Sequence, residues 1–151
     1  MPRVAIALGG NLGDRRRLLD AAVAALAAVI DGLRVSTFHE TEPVGVGPQP
    51  RFLNAAAIGT TALDPVDLLT RMLEIERTGG RERPHPGAPR TVDLDLILYG
   101  DLVLEEEDVM LPHPRFRDRR FVLEPLAEIA ADWVDPVSGK TVAQLLDALQ
   151  A

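Results

Sequence analysis

Hydrophobic residues along the chain change their spacing several times, and each change predicts a new element of secondary structure. Positions 4–8 are continuously apolar and end in two glycines, which is typical of a short buried strand. From 14 to 30 the apolar residues recur every three or four positions, which predicts a helix with one apolar face. Strands are then expected at 33–38 and 52–61, with a proline- and glycine-rich loop at 41–51 between them.

The same alternation of strand and helix patterns continues after position 61. Asp64 and Pro65 predict the start of a second helix, because Asp caps a helix and Pro suits its first position. Two glycines at 79–80 end that helix. A second proline- and glycine-rich loop occupies 79–89, and an apolar strand is predicted at 91–99.

The last third of the chain predicts shorter pieces. A turn after position 99 leads to a short strand at 102–104, which we expect to pair with the strand before it. A helix is predicted at 118–130, broken or kinked by Pro125. Thr141 and Gln144 have the spacing of a capping box, so a final helix should follow them.

The order of these elements, β-α-β-β-α-β with additions at the end, predicts a fold class. It is the pattern of an α+β, ferredoxin-like split βαβ sandwich, with helices packed on an antiparallel-rich sheet. We expect the helices on one face and loops and ligand on the other. At 151 residues and without an internal repeat, the sequence predicts a single domain over 1–151.

Composition narrows the possible functions. The net charge is −7, which argues against a nucleic-acid-binding surface. The chain has no uncharged apolar stretch long enough for a membrane span, and its first apolar run is too short for a signal peptide. It contains no cysteine, which excludes disulfides and thiolate metal sites. We therefore expect a cytoplasmic protein.

Two aspartates in the strand predicted at 91–99 are the sharpest chemical signal. Side chains alternate along a strand, so Asp93 and Asp95 should share one face, about 6.6 Å apart. Carboxylates at that spacing can hold two metal ions, and magnesium is the ion that prefers such oxygen ligands. The alternative is an ordinary solvated strand face. Their mutual repulsion, with only Arg90 nearby in sequence, favours the metal site.

Arginines flank these aspartates on both sides in the sequence. Arg81, Arg83 and Arg90 lie in the loop that leads into the strand, where they could close over a polyphosphate. The alternative for this segment is an ordinary charged loop. His113 stands between two prolines and is followed by arginines at 115, 117, 119 and 120, of which we expect one or two to bind phosphate.

Other polar positions are less specific. Phe52 and Asn54 should share one strand face, and Asn54 among alanines needs a partner, which a heterocycle or a backbone carbonyl could provide. His39 has no distinguishing context. The residues alone therefore indicate a magnesium-dependent domain that transfers phosphoryl or nucleotidyl groups. A two-metal nuclease or nucleotidyltransferase, and a ferredoxin-like small-molecule sensor without enzymatic activity, remain as alternatives.

Several separated motifs resemble the 6-hydroxymethyl-7,8-dihydropterin pyrophosphokinase family along the whole chain. The matching segments, in order, are ALGGNLGD at 7–14, TEPVG at 41–45, FLNAA at 52–56, EIER at 74–77, GR at 80–81, PRTVDLD at 89–95, PHP at 112–114 and RRFVLEPL at 119–126. The resemblance implies a usually monomeric enzyme of folate synthesis that transfers pyrophosphate from ATP to the pterin alcohol and releases AMP.

The resemblance also implies roles for individual residues. Asp93 and Asp95 would hold two Mg²⁺ ions, and Arg81 and Arg90 would act on the phosphates during transfer. The ATP-binding residues would be Glu76, Arg83, His113 and Arg119, and the pterin-binding residues Thr41, Val44, Phe52, Asn54 and Phe121.

Two positions depart from the family's pattern. Many members carry a Trp in the loop before the Pro-Arg pair, whereas here the stretch 86–88 is Pro-Gly-Ala and the only Trp is Trp133. Pro114 stands where an aromatic residue is common. These departures concern lid closure and contacts to adenine or pterin rather than the metal site.

Overall fold

The structure is a computed structural model that describes residues 1–10, 15–41, 52–79 and 92–150. Its elements, in chain order, are β1 Arg3–Gly10, α1 Arg15–Leu26, β2 Asp31–Val35, β3 His39–Thr41, β4 Phe52–Thr60, α2 Pro65–Gly79, β5 Asp93–Tyr99, β6 Leu104–Glu105, β7 Met110–Leu111, α3 Arg120–Ala130 and α4 Val142–Gln150. A 3-10 turn at Phe116–Asp118 precedes α3. Most of the two loops predicted at 41–51 and 79–89 lies outside the described residues.

The main sheet has the order β2-β4-β1-β5, and β3 also pairs with β4. All of these pairs are antiparallel. Each helical crossover therefore skips one strand: α1 connects β1 to β2 with β4 between them, and α2 connects β4 to β5 with β1 between them. This is the split βαβ arrangement, so the predicted α+β fold class is confirmed.

Helices cover both faces of the sheet, and the prediction that they cover only one is wrong. The core under α1 and α2 contains Leu19, Leu26, Leu68 and Met72, whereas α3 and α4 pack over a second core on the opposite face. The physical reason lies in the central strand β1. Consecutive residues 4–6 of that strand are each at most 1 % exposed, so both of its faces are apolar and both must be buried.

One further prediction about strands is wrong, and one strand was not predicted. The short strand after Gly100 does not pair with β5, because β6 pairs with β7 in a separate two-stranded sheet. Strand β3 lies between the strand predicted at 33–38 and the loop predicted at 41–51, so the spacing of apolar residues did not reveal it. The sheet edge formed by β2 and β3 is irregular, which disrupts the alternation on which the strand prediction depends.

The predicted helix caps are confirmed. Asp64 Oδ1 accepts a hydrogen bond of 2.8 Å from the Asp67 N–H. The Thr141 N–H donates to Gln144 Oε1 at 2.8 Å, and the Gln144 N–H donates to Thr141 Oγ1 at 3.1 Å. Pro125 does not end α3, which continues to Ala130. Within the described ranges, none of the helices has the length and apolar character needed to cross a membrane.

Candidate active site

A row of polar residues crosses the sheet on the face that carries α3 and α4. His39 lies opposite Asn54, Asn54 opposite Gly9, and Gly9 opposite Asp93. The next row places Asp95 opposite Ala7, which in turn lies opposite Ala56. Four different strands therefore bring the predicted metal-binding residues Asp93 and Asp95 and the predicted pterin-binding residue Asn54 together at one end of one face.

The prediction that the two aspartates share a face is confirmed by the burial pattern of β5. Asp93 is exposed and Asp95 is half-buried, whereas Leu94 and Leu96 are buried in the core under α1 and α2. Within the described part of the chain, no group of three or more His, Cys, Asp or Glu side chains is placed to hold a metal ion. A pair of carboxylates suits Mg²⁺, which commonly takes only one or two protein carboxylates and completes its shell with water and substrate phosphates.

An irregularity in β5 anchors the segment that carries His113. The register between β1 and β5 shifts between Ala5 and Ile6, which leaves Ile97 as an additional residue on β5. The Ile97 carbonyl accepts a hydrogen bond of 2.9 Å from the His113 N–H. Because Ile97 is only two residues from Asp95, this bond holds the histidine segment beside the aspartates.

The His113 ring is held as a neutral donor. Burial lowers the pKa of His113 below its usual value; the charge of Asp95 opposes that shift, while Arg119 and Arg115 add to it. Nδ1 accepts a hydrogen bond of 3.2 Å from the Arg115 N–H. In a neutral imidazole the other nitrogen then carries the proton, so Nε2 can donate to an anionic oxygen.

The four arginines at 115–120 have different contacts: two of them bond a carboxylate, and the other two lie close enough to His113 to affect its pKa. Arg117 bonds the fully buried carboxylate of Asp135, with Nη2 2.9 Å from Oδ1. Arg120 pairs with Glu124 one turn later on α3, at 2.6 Å. Arg115 and Arg119 are the two whose charges act on His113. That one or two of the four bind phosphate remains a prediction.

Asn54 occupies its position because Gly9 has no side chain. Asn54 is 6 % exposed, and a Cβ built on Gly9 would lie 3.0 Å from the Asn54 amide oxygen. Phe52 lies two residues away on the same strand and is half-buried. Phe121 is 44 % exposed at the start of α3, with the Arg119 guanidinium 5.6 Å from its ring centre. A buried amide and the Phe52 ring thus belong to this end of the sheet, and the Phe121 ring lies beside Arg119 at the start of α3.

Glu76 has a structural contact that the sequence did not predict. Its Oε2 accepts a hydrogen bond of 2.8 Å from the Leu94 N–H, on the backbone between the two aspartates. This bond ties the end of α2 to the edge strand β5. The predicted contact of Glu76 with ATP remains a prediction.

Some predicted site residues lie outside the described residues. These are Val44 and the three arginines that precede the predicted strand at 91–99, namely Arg81, Arg83 and Arg90. The backbone of Thr41 is described and lies opposite Phe52 at the end of β3. The roles of these five residues remain predictions.

The structure also brings together residues to which the sequence assigned no role. His39 Nε2 lies 2.5 Å from Glu128 Oε2, although the two residues are 89 positions apart in the chain. Neither residue lies in a local pattern with a chemical meaning. Only a known contact between β3 and α3 could have identified the pair.

Comparison with known proteins matches residues 5–131 to the family described as 7,8-dihydro-6-hydroxymethylpterin-pyrophosphokinase (HPPK). Two relatives named 2-amino-4-hydroxy-6-hydroxymethyldihydropteridine pyrophosphokinase are each 46 % identical. The one from Synechocystis sp. aligns over 94 % of this chain and 73 % of its own length, and the one from Bacillus subtilis over 82 % and 75 %. A third, from Methylorubrum extorquens, is 42 % identical and aligns over 99 % of this chain and 94 % of its own length.

Solved structures with a similar fold include a Plasmodium falciparum HPPK-DHPS, determined as a triple mutant with pteroate and as the wild type. Both superpose with a TM-score of 0.76 at 13 % identity and cover 97 % of this chain. The chain spans less than half of those longer proteins, 43 % and 44 % respectively. At this identity the likeness establishes the fold alone.

Proposed function

The chain belongs to the 7,8-dihydro-6-hydroxymethylpterin-pyrophosphokinase family, and from this premise we propose that the polar end of the α3 face is its active site. The reaction moves pyrophosphate from ATP to 6-hydroxymethyl-7,8-dihydropterin, in the biosynthesis of folate, and yields AMP and the pterin diphosphate. The observation that carries the assignment is the polar row in which Asn54 and Asp93 flank Gly9 on one face of the sheet.

Asp93 and Asp95 are the proposed ligands of two Mg²⁺ ions. Their carboxylates are hard oxygen donors on a single face, one exposed and one half-buried, which leaves room for substrate oxygens beside them. Bound magnesium would neutralise the charge of the polyphosphate and hold it in place. The aspartates need no other protein ligand for this role.

His113, Arg115 and Arg119 form the proposed protein wall beside the ATP phosphates. The neutral His113 ring offers its Nε2–H, and the two guanidinium groups supply positive charge next to it. A neutral ring avoids adding a third positive charge to a crowded cluster when the site is empty. We propose Glu76 and Arg83 as further ATP-binding residues, with Arg81 and Arg90 acting on the phosphates during transfer.

The pterin would lie next to β4. Its ring system has a polar edge that the buried Asn54 amide can hydrogen-bond, and Phe52 and Phe121 offer aromatic surfaces on which it can stack. Thr41, at the end of β3, and Val44, in the loop predicted at 41–51, are the remaining proposed contacts. A buried amide on an otherwise apolar strand supports this placement, because an amide has both donor and acceptor atoms and can match the polar edge of the pterin.

In this arrangement the pterin hydroxyl attacks the β-phosphorus of ATP in line with the leaving AMP. A new O–P bond forms to the β-phosphorus as the hydroxyl O–H bond breaks and its proton passes to water. The bond from that phosphorus to the bridging oxygen of AMP breaks, and AMP leaves with the electron pair. The chain contributes position and charge rather than a covalent intermediate, as is usual in phosphoryl transfer. We further propose that the chain forms a single domain, acts as a cytoplasmic monomer and does not bind nucleic acid, in keeping with its net charge of −7.

The test is the product formed from ATP by the protein and by its Asp95→Asn variant. We expect AMP formation that depends on the pterin, and a loss of at least about 100-fold in kcat for the variant, because a preorganised charge at the reacting phosphates is removed. The melting temperature should not fall, since Asp95 has a like charge at Asp93 nearby on its strand.

Asp101→Asn is the matched control, because Asp101 is exposed in the turn after β5. It should leave the rate unchanged. Release of pyrophosphate instead of AMP would indicate nucleotidyl transfer and would overturn the proposal. A near-normal rate for Asp95→Asn would remove the aspartate pair from the site.

A further inference from the structure

The edge of the sheet formed by β2 and β3 contains one extra residue relative to β4. Val35 lies opposite Ala57, and His39 lies opposite Asn54. Between these two pairs the edge has three residues, 36–38, whereas β4 has only two, 55 and 56. The extra residue lies in the segment 36–38 that connects β2 to β3. This is a β-bulge, a feature that re-aims the strand that follows it.

Thr37 is the residue that the bulge leaves out of the ladder. Ser36 stands opposite Ala56, since its N–H donates to the Ala56 carbonyl at 2.8 Å and its hydroxyl accepts from the Ala56 N–H at 2.9 Å. Phe38 packs against the core under α1 and α2. The backbone N–H of Thr37 points instead toward α3, where it donates to Glu128.

The Glu128 carboxylate accepts three hydrogen bonds from the segment around the bulge. Its Oε1 accepts the Thr37 N–H at 2.8 Å, and its Oε2 accepts the Thr37 hydroxyl at 2.9 Å and the His39 ring N–H at 2.5 Å. Burial raises the pKa of Glu128, but these bonds from Thr37 and His39 outweigh it and leave the pKa below its usual value. The group is therefore ionised at neutral pH, the state in which it accepts all three.

The bulge decides which residues of β3 lie beside the proposed pterin site. With the extra residue, His39 lies opposite Asn54 and Thr41 opposite Phe52. If the pairing of Val35 with Ala57 continued without it, Phe38 would lie opposite Asn54 and Glu40 opposite Phe52. A one-residue slip moves every side chain of a strand to the other face. The register of β3 therefore determines which of its side chains lie beside the proposed pterin site.

We propose that Glu128 is a positioning residue for pterin binding, because it holds the Thr37 bulge and thereby fixes the register of β3. It acts through the strand and does not touch the substrate. The inference rests on the proposed placement of the pterin beside β3 and β4. Helix α3 would then contribute two residues to pterin binding. Phe121, at its start, is a proposed stacking surface, and Glu128, two turns further along, positions β3.

The experiment compares Glu128→Ala and Glu128→Gln with the wild type. Affinity for 6-hydroxymethyl-7,8-dihydropterin and, separately, for a non-hydrolysable ATP analogue is measured by titration, and the exchange of β3 amide hydrogens by NMR. We expect about tenfold weaker pterin binding for Glu128→Ala, since hydrogen bonds to a charged group are lost. ATP-analogue binding should be unchanged and the β3 amides should exchange faster. Glu128→Gln retains one oxygen acceptor for the Thr37 N–H and should give a smaller effect.

Glu124→Gln is the matched control. Glu124 lies one turn before Glu128 on α3 and pairs with Arg120 rather than with β3, so its pterin affinity should equal that of the wild type. Wild-type pterin affinity and wild-type amide exchange in Glu128→Ala would overturn the inference, as would an equal loss for both ligands. A wild-type protein that does not bind the pterin at all would instead contradict the proposed function.

Discussion

The face of the sheet that carries α3 and α4 has an apolar end and a polar end. Both ends are made from the same three strands, β1, β4 and β5. At one end, Ile58, Ala5 and Leu98 form a row across β4, β1 and β5, and each is at most 5 % exposed. Four residues along β4 and β1, about 13 Å away, the corresponding row is Asn54, Gly9 and Asp93. The same three strands pair antiparallel in both rows, with the bulge at Ile97 between them. The side chains and the elements packed over them therefore decide which end is core and which is the proposed site.

The segment between β7 and α3 marks the border between these two ends. Phe116 is fully buried in the core under α3, whereas His113, three residues earlier, is hydrogen-bonded to β5 beside Asp95. One short connection therefore covers the apolar row and also supplies a polar group to the open row. The comparison predicts that changes at the covered end affect stability, and changes at the open end affect ligand binding.

The largest expected effect at the covered end is that of Ile58→Ala. Removing this buried side chain should lower the free energy of unfolding by about 3 kcal/mol, because it leaves a cavity under α3. Urea unfolding followed by the fluorescence of Trp133, which packs against the same core, measures the change. The KM values for pterin and ATP should stay at the wild-type level. A large change in either KM would show that the two ends are not independent.

A smaller effect is expected from the ion pair that holds the border segment in place. The Asp135 carboxylate is fully buried; burial would raise its pKa, but hydrogen bonds from Arg117, Ser138 and the Val137 N–H lower it from 3.8 to about 2. Because the folded-state pKa is the lower one, the stabilisation of about 2 kcal/mol is present above pH 4 and is lost as the pH falls toward 2.

Asp135→Asn tests that pH dependence by urea unfolding between pH 7 and pH 3. The variant should be less stable than the wild type at pH 7, and the difference should shrink as the pH falls through 4. Asp132→Asn, an exposed neighbour, is the control and should follow the wild type throughout. A difference that stays constant with pH would mean that the Asp135 pKa is not lowered by folding.

The smallest expected effect is at the open end, with Gly9→Ala. The added Cβ would lie 3.0 Å from the Asn54 amide oxygen, so the amide must shift. We expect pterin binding to weaken by about fivefold to tenfold, which corresponds to about 1 kcal/mol, the usual value of one hydrogen bond. Titration with the pterin measures it, and the stability of the fold should change little.

A double-mutant cycle sharpens this last prediction. If Gly9→Ala acts only by displacing the amide, it should have no further effect on pterin affinity in the Asn54→Ala background. Additive losses would show that Gly9 contributes in some other way, such as by direct approach of the ligand to the backbone.

Much of the fold and part of the site followed from short-range patterns. Alternation along β5 was sufficient to place Asp93 and Asp95 on one face, and side-chain chemistry was sufficient to predict the caps at Asp64 and Thr141. These features depend on residues only a few positions apart. The backbone geometry of a strand or a helix end fixes such relations before any tertiary contact forms.

The remaining features depend on which distant segments meet, so they could be read only from the folded protein. Four of the six residues at 115–120 are arginines, and the sequence does not distinguish them. In the structure Arg117 bonds the buried Asp135, whereas Arg115 and Arg119 act on His113. The Thr37 bulge and its contact with Glu128 join segments 91 positions apart. Local periodicity carries no information on such partners, because they are selected by the packing of whole helices and strands against each other.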